Sequence, residues 1–148
     1  TERLRFIIPD MEEHFGLKLK LNEPLQFLRY NSGDFFQPHA DSNAGEESFD
    51  HVKERQVTIV AFLNDAAESV GINSYSGGAL TMYGLIDGPG WQSKGFELQG
   101  ETGLLIAFRS DLIHEVKPVI DGERYTIVTW LSECDSESAP ESELSKVV

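Results

Sequence analysis

Cys134 is the only cysteine in the 148 residues, so no intrachain disulfide can form. Such usage suits a reducing, cytoplasmic setting. Basic residues are also scarce: 12 Lys and Arg stand against 25 Asp and Glu, for a formal net charge of −13. A surface of that sign repels phosphate backbones and makes nucleic acid a poor candidate partner. Part of the acidity is concentrated in the stretch 132–143, expected to be a solvated tail, so the rest of the surface is less acidic than the total implies. Long apolar runs are missing too. None approaches the roughly 20 residues needed to cross a bilayer, and no basic leader precedes an apolar stretch. Neither anchor nor signal is read, and the opening Thr1-Glu-Arg-Leu4 suggests a chain trimmed from a longer one. At 40% apolar and 25% charged, what remains reads as one soluble globular domain over 1–131 with an acidic tail over 132–148.

Leu4, Phe6, Ile7, Ile8, Met11 and Phe15 recur at three- and four-residue intervals and predict helix, with Pro9 placed to begin a second short helix after a break. Gly16 ends that segment, and Leu17, Leu19 and Leu21 alternate with Lys18 and Lys20 as in a strand. Residues 1–24 are thus expected to support a core over 25–131. In the core, short apolar runs predict strands over 25–31, 35–41, 56–63, 78–83, 95–99, 103–108, 113–118 and 123–131. Many short strands with Gly, Asn, Asp and Ser between them predict a mainly β sandwich or barrel. Two connections are too long for simple turns. The stretch 42–55 directly follows Asp41 and is placed to act as a lid, whereas 85–94, with Trp91 among glycines, reads equally as a lid or an ordinary surface hairpin.

The chemistry centres on His39-x-Asp41, with His114 and Arg124 far along the chain. In a strand alternate side chains share a face, so His39 and Asp41 project together while Ala40 points away. Two imidazoles and a carboxylate hold a divalent iron on one face and leave the opposite positions open. The third ligand must come from a second strand, and His114 sits at a predicted strand start beside Ile113 and Val116. Alone, a His-x-Asp pair is common by chance and a histidine near a strand end is more often structural. Arg124, Thr126, Val128 and Trp130 share one strand face, where an arginine fork would fit a carboxylate and the Thr126 hydroxyl would donate to it. Taken alone, Arg124 would read as an exposed strand arginine beside the turn 120–123.

The segments Leu28-Arg-Tyr-Asn-Ser-Gly-Asp-Phe-Phe-Gln-Pro-His-Ala-Asp41, Val57-Thr-Ile-Val-Ala-Phe-Leu-Asn-Asp65, Tyr75-Ser-Gly-Gly-Ala-Leu80 and the stretch from His114 to Trp130 occur in that order. Together they resemble the iron and 2-oxoglutarate-dependent dioxygenases, most closely the prolyl 4-hydroxylase-like branch, over roughly residues 25–131. The resemblance implies a double-stranded β-helix, or jelly roll, with an N-terminal helical layer. It implies Fe(II) held by His39, Asp41 and His114, with 2-oxoglutarate and O2 as cosubstrates and room for ascorbate as an accessory. Arg124 and Thr126, together with Tyr30 before a glycine-containing turn, are implied to hold the 2-oxoglutarate carboxylate. Phe62 stands where some relatives have a second tyrosine, so that contact is expected to be missing. Gly77 and Gly78 resemble the family's paired glycines before a strand.

The implied reaction couples oxidative decarboxylation of 2-oxoglutarate, to succinate and carbon dioxide, with hydroxylation of an unactivated C–H bond. Asp41 favours hydroxylation over halogenation, because halogenating relatives have a small residue in its place. A prolyl residue in a peptide or protein is the leading substrate, with a free amino acid or small metabolite as the alternative. Two further readings compete. The same three ligands suit a zinc hydrolase, and a jelly roll can serve as a non-catalytic binding module. The ordered motifs and Arg124 disfavour both.

Overall fold

The computed structural model describes residues 2–42 and 49–134. The chain runs α1 (Glu2–Phe15), β1 (Leu19–Leu21), β2 (Gln26–Tyr30), β3 (Phe36–His39), α2 (Asp50–Lys53), β4 (Arg55–Phe62), β5 (Asp65–Ala66), β6 (Ser74–Gly77) and β7 (Leu80–Met82). It continues through β8 (Phe96–Leu98), β9 (Leu105–Arg109), β10 (His114–Val116), β11 (Val119–Gly122) and β12 (Arg124–Glu133). No helix among the described residues is long and apolar enough to cross a membrane.

The strands form a jelly roll. One sheet has the order β1-β12-β4-β9, with β2 also paired to β12, and the facing sheet has the order β3-β10-β7-β8. A ribbon β11-β6-β5 closes one end, and its β5–β6 pair is parallel while the other ladders are antiparallel. β12 is long enough to pair with β2 over Arg124–Val128 and with β1 over Leu131–Glu133 on one side, and with β4 along the other. It therefore continues through Ser132 and Glu133, while residues 135–148 of the acidic stretch lie outside the described residues.

β4 shows why the layers stack as they do. Its even positions, including Val60 and Phe62, face the other sheet and pack with Leu80, Met82, Phe108, Val116, Val128 and Trp130. Its odd positions, Val57 and Ile59, face α1 and pack with Met11, Leu19 and Leu131. A strand covered on both faces reads as a continuous apolar run, and Val57 to Phe62 is one but for Thr58.

Three features depart from the sequence expectation. α1 is a single helix that runs through Pro9. An internal proline costs about 3 kcal/mol, but Leu4, Ile7, Ile8, Met11 and Phe15 all pack against the sheet, at up to roughly 1.5–3 kcal/mol for each side chain fully buried. Phe6, expected to help build the helix face, is exposed. The strands β5, β6 and β11 were unexpected, because 120–123 and the Gly77-Gly78 pair read as turns. They are strands whose backbones approach too closely for side chains. A Cβ on Gly77 would lie 2.5 Å from the Pro118 carbonyl oxygen, and one on Gly122 would lie 2.6 Å from that of Ser74. Gly77 also adopts φ +71°, a conformation open to glycine at little cost.

Candidate metal centre and cofactor pocket

His39 ends β3 and His114 begins β10, and the two stand directly opposite each other in the β3–β10 ladder. Their ring centroids are 4.4 Å apart. Asp41 lies just beyond β3, so the strand-parity argument places it only in part. A bend brings its carboxylate back, and the backbone around it is tied by Arg55, which donates to the Asp41 carbonyl at 3.3 Å, and by Ser42, whose N–H donates to Ser110. Asp41 Oδ1 lies 3.3 Å from His39 Nε2 and Oδ2 lies 3.5 Å from His114 Nε2. One ligand atom from each residue falls within 4.8 Å of the others.

Both rings are held in the orientation a metal requires. His39 Nδ1 is 2.8 Å from the Gln37 carbonyl oxygen and His114 Nδ1 is 2.9 Å from that of Leu112. A carbonyl only accepts, so Nδ1 carries the hydrogen in each ring and Nε2 is the atom that faces Asp41 and would meet a metal. Phe36 packs on the His39 ring and the Phe108 ring meets His114 edge-on, which limits rotation of both imidazoles. Thr58 donates to Asp41 Oδ2 at 2.7 Å and lies 3.0 Å from the Ser110 hydroxyl.

Charge balance follows the geometry. Burial works to raise the Asp41 carboxyl, but His39, His114, Trp130 and Thr58 outweigh it and hold it down to about 2. Of these, the Trp130 indole acts without a hydrogen bond of proper distance and angle. Burial opposes charge on His39, yet Asp41 and the Gln37 carbonyl raise its pKa; at His114 burial prevails and lowers it. Three electron-pair donors thus converge on one point, an arrangement that a divalent cation satisfies.

The centre opens into a cavity of about 520 Å³ between the sheets. Arg124 lies deep in it, at 1% exposure. The expected shared face of β12 is present: Arg124, Thr126, Val128 and Trp130 all line the cavity. Arg124 donates to Thr126 Oγ1 at 3.4 Å, which leaves the threonine hydrogen free to point elsewhere. Tyr30 pairs with Arg124 across the β2–β12 ladder, and the Tyr30 and Phe62 rings each lie 5.2 Å from its guanidinium carbon. Among the described residues Arg124 forms no ion pair. A buried cation without a carboxylate is costly unless a ligand supplies one.

Exposed Phe36 and Phe49 line the outer part of the cavity, with Val52 from α2. The stretch 42–55 therefore does contribute to the opening, although residues 43–48 lie outside the described residues. No residue of 85–94 lines the cavity; this stretch connects β7 to β8 at the surface, with Lys94 over the Trp91 ring. Sequence reasoning missed Thr58, Ser110 and Arg55. Only Thr58 left a signal, as an even-numbered polar residue on the inward face of an apolar strand.

A jelly roll carrying a two-histidine, one-carboxylate cluster beside a buried, unpaired arginine is the layout of a mononuclear metal enzyme that binds an acidic cosubstrate. The chain belongs to the 2OG-Fe(II) oxygenase superfamily, whose model matches residues 25–132. It is 33% identical over 116 residues to a PKHD-type hydroxylase of Shewanella oneidensis, an alignment covering 78% of this chain and 45% of that protein. The chain thus spans about half the length of the curated relatives it matches. Among solved structures it is similar to a Pseudomonas putida prolyl-4-hydroxylase, with TM-score 0.57, 25% identity, and coverage of 90% of this chain and 63% of that one. A Trichoplax adhaerens prolyl hydroxylase in complex with a hypoxia inducible factor peptide fragment shares the fold at TM-score 0.62 and 20% identity, with 89% and 56% covered. Family membership implies Fe(II) and 2-oxoglutarate. The residues present fit both: the donor set suits a ferrous ion, and Arg124 lacks the anion that a 2-oxo diacid would bring.

Proposed function

We propose that the chain is the catalytic domain of an Fe(II)- and 2-oxoglutarate-dependent hydroxylase acting on a prolyl residue in a peptide or protein. In this reading His39, Asp41 and His114 hold the iron, while Arg124, Thr126 and Tyr30 hold the distal carboxylate of 2-oxoglutarate. The observation that carries it is the pairing, in one cavity, of a three-donor cluster with a buried arginine that has no ion-pair partner among the described residues.

When bound, the iron and 2-oxoglutarate supply oxidative decarboxylation coupled to C–H hydroxylation, with ascorbate as an accessory reductant. The chain's own residues orient and exclude. Thr58 fixes the Asp41 carboxylate, and the Gln37 and Leu112 carbonyls fix the histidine tautomers. The Arg124 fork neutralises the incoming carboxylate, with the free Thr126 hydrogen beside it. Leu28, Val60, Leu80, Val116 and Val128 line the cavity with hydrocarbon and keep water from the reacting groups. Phe36 and Phe49 offer apolar faces at the opening that suit a pyrrolidine ring. The hydroxylase names of the relatives, and the peptide bound to the Trichoplax protein, support a peptide substrate.

The test is succinate release on adding oxygen to protein loaded anaerobically with Fe(II) and 2-oxoglutarate. Wild type is expected to release succinate slowly without a prime substrate, and faster with proline-containing peptides. His114→Ala is expected to release none. Absence of succinate from wild type under every condition would overturn the reading and favour a zinc hydrolase or a binding module.

A further inference from the structure

Two complementary polar atoms beside the cofactor pocket are each buried with no hydrogen-bond partner among the described residues: Arg124 Nε and the Tyr75 phenol oxygen. Tyr75 is fully buried, yet it does not line the cavity. It belongs to β6 and reaches Arg124 from behind. A Cβ built on Gly78 would lie 3.0 Å from Arg124 Cδ and 3.1 Å from Tyr75 Cε2, so both side chains flank the same point of the backbone. The phenol has a prepared seat, because a Cβ on Gly100 would overlap its oxygen. Burial pushes the Tyr75 pKa up while the Arg124 cation first, and the Gly100 backbone after it, oppose, and burial pushes Arg124 down while Tyr75 and Tyr30 oppose.

The guanidinium is otherwise loosely held. Among the described residues its one hydrogen bond of proper distance and angle is the 3.4 Å contact to Thr126. Phe62 flanks it without offering an oxygen, and Tyr30 lies on the cavity side. A planar fork discriminates among carboxylates only when its plane is fixed. A second grip at Nε, together with Thr126, would stop rotation about the Cδ–Nε bond and keep the remaining N–H groups aimed into the cavity.

We propose that Tyr75 is a positioning residue for Arg124, its phenol oxygen taking up the Nε hydrogen once a carboxylate aligns the guanidinium and thereby setting selectivity for 2-oxo acids with a distal carboxylate. The assignment rests on the reading of Arg124 as the carboxylate anchor. It is tested by calorimetric binding to Fe(II)-loaded protein under anaerobic conditions. The ligands are 2-oxoglutarate and 2-oxobutanoate, which keeps the oxo-acid head and lacks the distal carboxylate. Tyr75→Phe keeps the buried ring and removes the oxygen. It is expected to raise Kd for 2-oxoglutarate about tenfold, in keeping with a hydrogen bond to a charged group, and to leave 2-oxobutanoate within about twofold. The ratio of the two is read on the same folded molecules, so a loss of stability does not mimic the effect. In an Arg124→Met background Tyr75→Phe should change neither affinity. Equal weakening of both acids, no weakening of either, or a loss that persists without Arg124 would each overturn the positioning role. If instead Arg124→Met itself leaves 2-oxoglutarate binding intact, the anchor reading fails and the inference falls with it.

Discussion

Asp41 is where most of the site's energetics meet. Its buried carboxylate is surrounded by groups that favour its charge, among them the Thr58 hydroxyl at 2.7 Å and the imidazoles of His39 and His114. Thr58 matters most for direction, because a carboxylate with one oxygen engaged presents the other in a fixed orientation. Partners one step removed from a metal commonly change affinity 10- to 100-fold. Thr58→Val, nearly the same shape without the donor, is therefore expected to weaken Fe(II) binding by about tenfold or more, and Thr58→Ser to restore it. Titration against a competing chelator measures both; equal affinities for wild type and the valine variant would show that Ser110 and Arg55 suffice. As candidate ligands His39, Asp41 and His114 were legible from their residue types, because the donor set a divalent metal would need is a short list. Their assembly was only half legible. Strand parity predicted that His39 and Asp41 project together, yet β3 stops at His39 and a bend does the rest. Tyr75 left no signal, since a tyrosine just before a glycine pair reads as part of a turn, and what singles it out is that its buried hydroxyl has no hydrogen-bond partner among the described residues.

At the scale of elements, legibility followed how each strand is covered. β4 and β12 are apolar on their inward faces and long, so their pattern survives. β6 and β11 owe their pairing to glycines that permit backbone contact, and the same glycines disguise them as turns. α1 was legible through its apolar stripe, while Pro9 suggested a break that packing overrides. What the stripe does not reveal is how the helix is tied to the sheet. Glu12 accepts the Leu19 N–H at 2.9 Å and the Lys18 ammonium at 3.1 Å, joining the last turns of α1 to β1. The Leu19 amide, followed by Lys18, lowers the Glu12 pKa below its ordinary 4.5. A carboxyl whose pKa is depressed on folding stabilises the folded state above its unfolded value, and that contribution disappears as pH falls through the folded one. Glu12→Gln is thus expected to melt below wild type at neutral pH, with the difference closing as pH drops below about 4. Thermal midpoints across that range decide it, and a difference that does not vary with pH would mean that Glu12 acts through packing alone.

At the scale of the whole molecule, the two halves of the site sit on different sheets. The proposed metal ligands His39, Asp41 and His114 belong to β3, its following bend and β10, in or beside the smaller sheet, whereas Arg124, Thr126 and Tyr30 belong to β12 and β2 in the larger one. A 2-oxo acid held at one end by the metal and at the other by Arg124 would therefore bridge the sandwich. Linkage then predicts an order in stability. At about a hundredfold excess over Kd a ligand adds roughly 2.7 kcal/mol, which for a domain of this size corresponds to a rise in Tm of about 5–10 °C. Divalent metal alone should give one such increment. 2-Oxoglutarate should add a second in the presence of metal and little in its absence, because the Arg124 contact alone would hold only one end. Arg124→Met separates the halves: it should keep the metal increment and lose most of the second. Freed of a buried charge that forms no ion pair among the described residues, its apoprotein should melt no earlier than wild type. Differential scanning calorimetry on the apoprotein, metal-loaded and doubly loaded forms measures every term. A full 2-oxoglutarate increment without metal, or one that survives Arg124→Met, would mean that the two sheets are not joined through the cosubstrate.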